Sequence, residues 1–209
     1  AHRSGWKAMT RRSGFTAELA DRHAKMAKDA ATDNTQSDLV TGLENLPITN
    51  PLYYDDVYQI EFDASVLYCS EIHGEDLPDG ATHAIVLDRT CFYPEGGGQE
   101  ADFGTLSTDS VHCHILGTRK IGEHILHLSN SALNKGDVVH GCIDWNRRKQ
   151  LMDHHTSVHI VGGAARKILG PHIYQAGSNK SVDLGRLDIT HYNRLTRKDL
   201  DDIEKMANQ

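Results

Sequence analysis

Residues 58–72 read YQIEFDASVLYCSEI, and their alternation decides the fold. Apolar and polar side chains exchange at period two, the signature of a strand with one face buried and one wet. Downstream, GEDLPDG at 74–80 is a turn, and ATHAIVLDRT at 81–90 reads as a second strand. CFYPEGGGQEADFGTL at 91–106 is a glycine-rich turn running into another strand. VHCHILGTRKIGEHILHLSN at 111–130 reads as a strand pair broken at Gly117–Gly122. NKGDVVHGCIDW at 134–145 is a turn at Asn134-Lys135-Gly136 followed by a strand. Short strands with turns every 8–12 residues or so predict a small barrel or sandwich over 53–145.

From Arg147 the period changes. RRKQLMDHHTSVHIVGGAARKILG carries Leu151, His155, Val158, His159, Gly162 and Ala165 on one broad helical stripe, and Gly170-Pro171 is a stop signal. HIYQAGSNKSVDLGRLDITHYN then reads as two strands around a Gly-Ser-Asn turn. Thr196 is placed to cap a last helix with Asp199 in its first turn. Upstream, residues 14–31 set Phe15, Leu19 and Met26 at helical intervals, and 32–52 read as a linker with a short helical turn at 38–44. The expected division is a helical segment and linker over 1–51, a barrel-like domain with the glycine-rich loop over 52–145, and an α+β part over 146–209.

The composition is that of an ordinary soluble protein: of 209 residues, 38% are hydrophobic and 24% charged. No apolar run of about 18 residues exists, so no membrane span is expected, and the N-terminus lacks the apolar core of a secretory signal. Four scattered cysteines, Cys69, Cys91, Cys113 and Cys142, do not form a disulfide framework and point to a reducing cytoplasm. A net charge of −7 argues against bulk attraction to nucleic acid, although a few placed cations suffice for phosphate contact. Histidine stands out, with 14 residues.

Two phrases carry chemistry. In His155-Thr-Ser-Val-His159 the imidazoles lie one helical turn apart, a spacing that suits one metal ion and equally a histidine-rich surface. A zinc-protease site would place Glu after the first histidine, where this chain has Thr156. In Phe92-Tyr-Pro-Glu-Gly-Gly-Gly-Gln99 the three glycines permit backbone conformations closed to other residues and close approach of a ligand, or simply a tight hairpin. Gln99 offers a donor and an acceptor on one side chain. No Lys-Ser/Thr follows, so this is not a phosphate loop.

Taken together, these phrases resemble the editing region of alanyl-tRNA synthetases and their free-standing editing relatives. The family phrase FYPxGGGQxxDxG is met at Phe92, Tyr93, Pro94, Gly96, Gly97, Gly98, Gln99, Asp102 and Gly104. R-x-x-x-M-x-x-HTSVH follows, with the HTxxH helix at His155, Thr156 and His159. Gln175-Ala-Gly-Ser178 and Arg186-Leu-Asp-Ile-Thr-His191 are similar to the family's Gln-x-Gly-Ser and Arg-Phe-Asp-Phe-x-His phrases, with Leu187 and Ile189 in place of aromatics.

The resemblance implies an α+β fold: a small antiparallel β-barrel followed by an α+β editing core like the second additional domain of threonyl- and alanyl-tRNA synthetases. It implies hydrolysis of Ser-tRNA(Ala) and Gly-tRNA(Ala), the acceptor end of tRNA(Ala) as partner, and Zn2+ as cofactor. The chemical need is plain, since an alanine pocket excludes glycine or serine only weakly. Carried over by motif, His155 and His159 are expected zinc ligands and Thr156, Gln175 and Gln99 orient the aminoacyl group. Gly96, Gly97, Gly98, Arg186 and Asp188 are expected at the substrate. The family completes its ligand set with a downstream Cys-x-x-x-His phrase that this chain lacks; Cys69-Ser-Glu-Ile-His73 has the spacing but sits in an early strand. The chain is therefore expected to be a C-terminally truncated piece with an incomplete zinc site. The 50-odd residues before the barrel favour a piece of a synthetase, joined to an ATP-dependent ligase, over a free-standing deacylase; a non-catalytic tRNA-binding remnant is the reading from another class. No ATP-site signature is present, so this segment is not expected to charge tRNA. Arg147, Arg148, Lys149, Arg166 and Lys167 could meet acceptor-stem phosphates or form a solvated helix face.

Overall fold

The computed structural model describes residues 42, 43, 45–74 and 76–209. The helix expected over 14–31 and the linker as far as residue 41 lie outside the described residues. Gly42 and Leu43, at the end of the helical turn expected over 38–44, are helical.

Strands β1 (Asn50–Pro51), β2 (Glu61–Glu71), β3 (His83–Leu87), β4 (Arg89–Thr90), β5 (Gly104–Ser107), β6 (His112–Ile121), β7 (His124–Ser129) and β8 (Val138–Ile143) precede helix α1 (Trp145–Leu169); β9 (Gln175–Lys180), β10 (Gly185–Ile189) and helix α2 (Arg197–Ala207) follow. Six strands close into an antiparallel barrel in the order β2-β3-β7-β6-β5-β8, which resolves the choice between barrel and sandwich. Closure depends on two long, bulged strands. The first half of β2 pairs with β8 and the second with β3, with an irregularity between Val66 and Tyr68. Likewise β6 pairs first with β5 and then with β7, with an irregularity between Ile115 and Gly117. A bulge bends a strand and raises its twist, so each serves as a corner of the barrel.

Those corners account for two departures from the sequence reading. Gly117 does not break the strand pair; it continues β6 beyond the bulge. The break is confined to Gly122-Glu123, where Gly122 alone takes a positive φ of 57° between the paired Ile121 and His124, the arrangement of a two-residue type II′ hairpin. Beyond the β2 bulge the alternation also changes face. Phe62, Ala64 and Val66 enter the main core with Ile85, Leu87, Phe92, Leu106 and Ile115, whereas Leu67 and Tyr68 turn to a second cluster. That cluster joins Leu43 and Leu46 to Ala84, Val86, Leu126 and Leu128. β3 is thus covered on both faces, which is why its sequence runs continuously apolar rather than alternating.

α1 begins at Trp145, two residues before the expected change of period, because Asp144 caps it: its Oδ1 accepts from the Arg147 amide at 3.1 Å and its carbonyl from the Arg148 amide at 2.9 Å. Leu151, Val158 and Ala165 of the predicted stripe are buried. The helix ends as expected, with Gly170 at φ 116° and its amide bonded to the Arg166 carbonyl. β9 and β10 pair as a separate two-stranded sheet. Their turn is not at Gly177-Ser178-Asn179, which lie inside β9, but at 181–184, closed by the Ser181 amide on the Leu184 carbonyl at 3.0 Å. A Cβ on Gly177 would sit 2.9 Å from Asp188 Oδ2, the end of an exposed side chain. Thr196 caps α2 in a reciprocal box with Asp199, as its sequence predicts.

The chain forms two compact units. One holds the described residues up to His155 together with Asn179–Gly185; the other holds Thr156–Ser178 and Arg186–Gln209. None of the described helices is long and apolar enough to cross a membrane.

Candidate active site

The glycine-rich phrase folds into the smallest turn available. Gly96 and Gln99 exchange both backbone hydrogen bonds, at 2.9 and 3.1 Å, and Gly97 and Gly98 between them take φ of 59° and 75°. Two successive positive φ values are the requirement of a type I′ turn, and glycine meets it at no steric cost. The hairpin alternative is therefore realised, and it has a chemical consequence: the turn aims the Gln99 side chain inward. Gln99 is 4% exposed, and its Oε1 meets His155 Nδ1 at 2.8 Å. An amide oxygen facing Nδ1 requires that nitrogen to carry the proton, so Nε2 is the basic nitrogen of His155. His155 Cε1 is also the nearest group to a Cβ built on Gly97, at 3.9 Å.

Around this contact the first turns of α1 clamp the segment that follows the glycines. Arg147 donates to the Ala101 carbonyl at 2.9 Å and to Glu100 Oε2 at 2.8 Å, with its guanidinium 3.8 Å above the Phe103 ring. Arg148 is fully buried with Asp102. Its Nε bonds both carboxylate oxygens, at 3.0 and 2.9 Å, and its Nη2 bonds Asp102 and the Cys91 carbonyl. Asp102 in turn accepts from the Tyr93 amide at 2.8 Å. Positions 148, 151 and 155 share a helix face, so one stripe of α1 holds Asp102, the core and Gln99 in succession. On the other side of the turn stands Lys180, 1% exposed. Its Nζ donates to the Gly97 carbonyl at 2.7 Å, and its backbone bonds the Gly98 carbonyl and the Glu100 amide. Burial pushes its ammonium below the ordinary lysine range. With their carbonyls engaged, the exposed Gly97 and Gly98 have N–H donors that no backbone acceptor among the described residues takes up.

This geometry takes Arg147 and Arg148 out of the basic residues that could meet phosphates, and leaves Arg166 and Lys167 on an exposed face. Arg147 and Arg148 are spent on the loop, Lys149 pairs with Asp153 at 2.5 Å, and Arg166 donates to the Ile173 carbonyl at 2.9 Å; Lys167 is exposed. Sequence reasoning quoted Asp102 and Arg148 within family phrases but gave neither a structural role, and it missed Lys180 altogether. Spacing along a chain signals neighbours on a helix or strand; it carries nothing about a partner 46 residues away.

The other predicted site residues lie in the second compact unit. Thr156 and His159 continue α1, His159 one turn beyond His155. Gln175 is exposed, with its Nε2 3.1 Å from Ser178 Oγ. Arg186 and Asp188 pair at 3.3 Å across exposed side chains. Cys69 sits in β2 with its thiol pushed up by burial, and His73 lies beside Glu71 at 3.7 Å. Among the described residues no three His, Cys, Asp or Glu side chains gather to hold a metal. The two imidazoles fit such an ion in donor type and spacing, and Gln99 fixes the His155 tautomer as an outer-shell partner does. They would supply two of the three or four protein ligands that zinc takes.

The model of the family described as class II (A) tRNA synthetases matches residues 7–147, a stretch that contains the barrel, the glycine turn and Arg147. The alanine–tRNA ligase of Natronomonas pharaonis is 42% identical over 194 residues, covering 93% of this chain and 20% of that protein. That of Halobacterium salinarum is 48% identical over 167 residues, covering 80% and 18%. That of Pyrococcus furiosus is 43% identical over 169 residues, covering 80% and 17%. The chain spans about a fifth of the length of the curated relatives it matches. A barrel built around the family's own glycine turn, matched over most of its length to alanine–tRNA ligases, belongs to the alanyl-tRNA synthetase family of class II.

Proposed function

We propose that this segment is the editing part of an alanyl-tRNA synthetase, hydrolysing the ester of Ser-tRNA(Ala) and Gly-tRNA(Ala). The observation that carries the reading is the bond between Gln99 and His155 Nδ1. A buried amide, aimed by a turn that two glycines make without strain, sets one tautomer of a histidine whose helical neighbour is a second histidine. A surface histidine has no use for that arrangement; a metal ligand or a general base does.

His155 and His159 would hold a zinc ion, which when bound polarises the ester carbonyl and lowers the pKa of an attacking water. The chain's own residues do the rest. Gln99 keeps the Nε2 lone pair of His155 basic and directed. The Gly97 and Gly98 amides at the exposed turn can donate to the ester oxygen as charge develops there. Thr156, beside His155, and Gln175 would orient the aminoacyl group, and Arg186 with Asp188 would meet the terminal nucleotide.

The test is release of serine from Ser-tRNA(Ala) by a ligase-length protein carrying this segment. The unaltered segment should hydrolyse the ester. His155→Ala and His159→Ala should each abolish hydrolysis while leaving thermal unfolding of the barrel in place. Wild-type rates in both variants would end the metal-dependent reading.

A further inference from the structure

Where the chain between Gly170 and Tyr174 runs beside residues 190–192, three rings gather. The Tyr174 amide donates to Thr190 Oγ1 at 2.8 Å, the Thr190 amide to the Tyr174 carbonyl at 2.9 Å, and Thr190 Oγ1 to the His172 carbonyl at 2.8 Å. Held this way, the His172 and His191 rings stack at 5.2 Å and 21°, joined by a 2.9 Å contact between Nε2 and Nδ1. The Tyr192 ring lies 5.0 Å from both. Tyr192 is 72% exposed and Tyr174 60%, and the Arg166 guanidinium sits 4.6 Å over the Tyr174 ring.

Three cations of the same compact unit lack a carboxylate partner: among the described residues, no carboxylate lies within ion-pair distance of Arg166, Lys167 or Arg194. The acids of α2 have partners of their own: Asp199 caps at Thr196 and also acts electrostatically on His191, Asp201 pairs with Arg197 and Asp202 with Lys198. Flat faces with polar edges beside cations select for a ligand that is flat and anionic. An acidic peptide would supply the charge without the faces, and a duplex hides the faces of its bases. Unpaired nucleotides supply both.

We propose that His172, His191 and Tyr192 form a stacking platform for the unpaired 3′ end of an RNA, with Arg166, Lys167 and Arg194 meeting its phosphates. The RNA is the tRNA of the proposed function, and the inference rests on that reading for the identity of its ligand. Arg166 stands seven residues beyond His159 along α1, roughly 10 Å of helix.

Binding is measured by fluorescence anisotropy on the 209-residue chain, with an uncharged RNA hairpin carrying an unpaired four-nucleotide 3′ tail and the same hairpin blunt-ended. The tailed RNA should bind more tightly. Tyr192→Ala should lower its affinity about ten-fold or more, toward that of the blunt RNA, whereas Tyr192→Phe should keep the preference. Tyr192 is exposed, so both variants should melt as the parent does. Equal binding of tailed and blunt RNA, or an unchanged tail preference in Tyr192→Ala, overturns the proposal and leaves the rings as cover for another part of a longer protein. No ester is cleaved in this assay. A chain that binds the tail through Tyr192 yet hydrolyses nothing therefore keeps the platform and loses the editing reading.

Discussion

The Gln99 side chain is worth more than its one hydrogen bond. A buried neutral pair contributes on the order of 1 kcal/mol to stability, but the bond also selects which nitrogen of His155 is basic. Gln99→Ala is accordingly expected to cost about 1 kcal/mol in urea unfolding while lowering deacylation by about 10–100-fold, the usual cost of losing an outer-shell partner. Equal losses of stability and activity would mean that the glutamine is merely core. Arg148 and Asp102 behave in the opposite way. Their charges are wholly buried and satisfy one another, the Tyr93 amide and the Cys91 carbonyl. Truncation of one partner strands the other in a poorly solvating interior. Arg148→Leu should cost about 3–5 kcal/mol in denaturant unfolding, and simultaneous Asp102→Leu should recover part of that loss. A double mutant as unstable as the single would show that the guanidinium is needed for Cys91 and the turn rather than for the carboxylate.

At the level of elements, the barrel closes only where strands approach without side chains. A Cβ on Gly104 would lie 2.2 Å from the Cys142 carbonyl oxygen and 2.9 Å from the Phe92 ring. Backbone cannot yield as a flexible side chain can, so Gly104→Ala should separate β5 from β8 and cost several kcal/mol, on the order of an overpacked core. Gly163, mid-helix in α1, has nothing within 4 Å of such an atom among the described residues. Gly163→Ala should stabilise the protein by about 1 kcal/mol, through helix propensity alone. Thermal unfolding of the two variants side by side checks both signs. The contrast also explains what could be read in advance. Alternation in residues 58–72 foretold the strand, the Thr196 and Gly170 caps bounded their helices, and the glycine turn stood out by composition. The bulges at the barrel corners, the role of Gly117 inside β6, and Gly177 resting against Asp188 have no local signature, because each answers to a neighbour distant in sequence. The same holds for Lys180, whose one-residue signal is that of any surface lysine.

At the scale of the whole molecule, folding is tied to acidity through His127. His127 lies inside the barrel wall with no exposure. Its Nδ1 bonds the Ile85 carbonyl at 3.1 Å, Thr90 Oγ1 meets its Nε2 at 2.8 Å, and Phe92 packs edge-on against the ring at 5.3 Å. With Nδ1 donating and Nε2 accepting, the ring is neutral and has no room for a second proton. Burial therefore lowers its pKa from 6.5 to about 4. The unfolded chain takes up a proton near pH 6.5 that the folded chain refuses until about pH 4. Stability from this residue is complete above the higher value and is lost as pH falls between the two, about 3 kcal/mol in all. Because Thr90 also accepts from the Phe92 amide at 3.1 Å, protonation would disturb the strand end that leads into Phe92-Tyr93-Pro94 and the glycine turn. His127→Gln keeps a donor and an acceptor at the site and removes the titration. It should be less stable than the parent at pH 7 but lose less between pH 7 and pH 4.5, measured by urea unfolding at each pH. If parent and variant fall in parallel, acid sensitivity lies in the carboxylates, and the link from the barrel wall to the glycine turn is not through this imidazole.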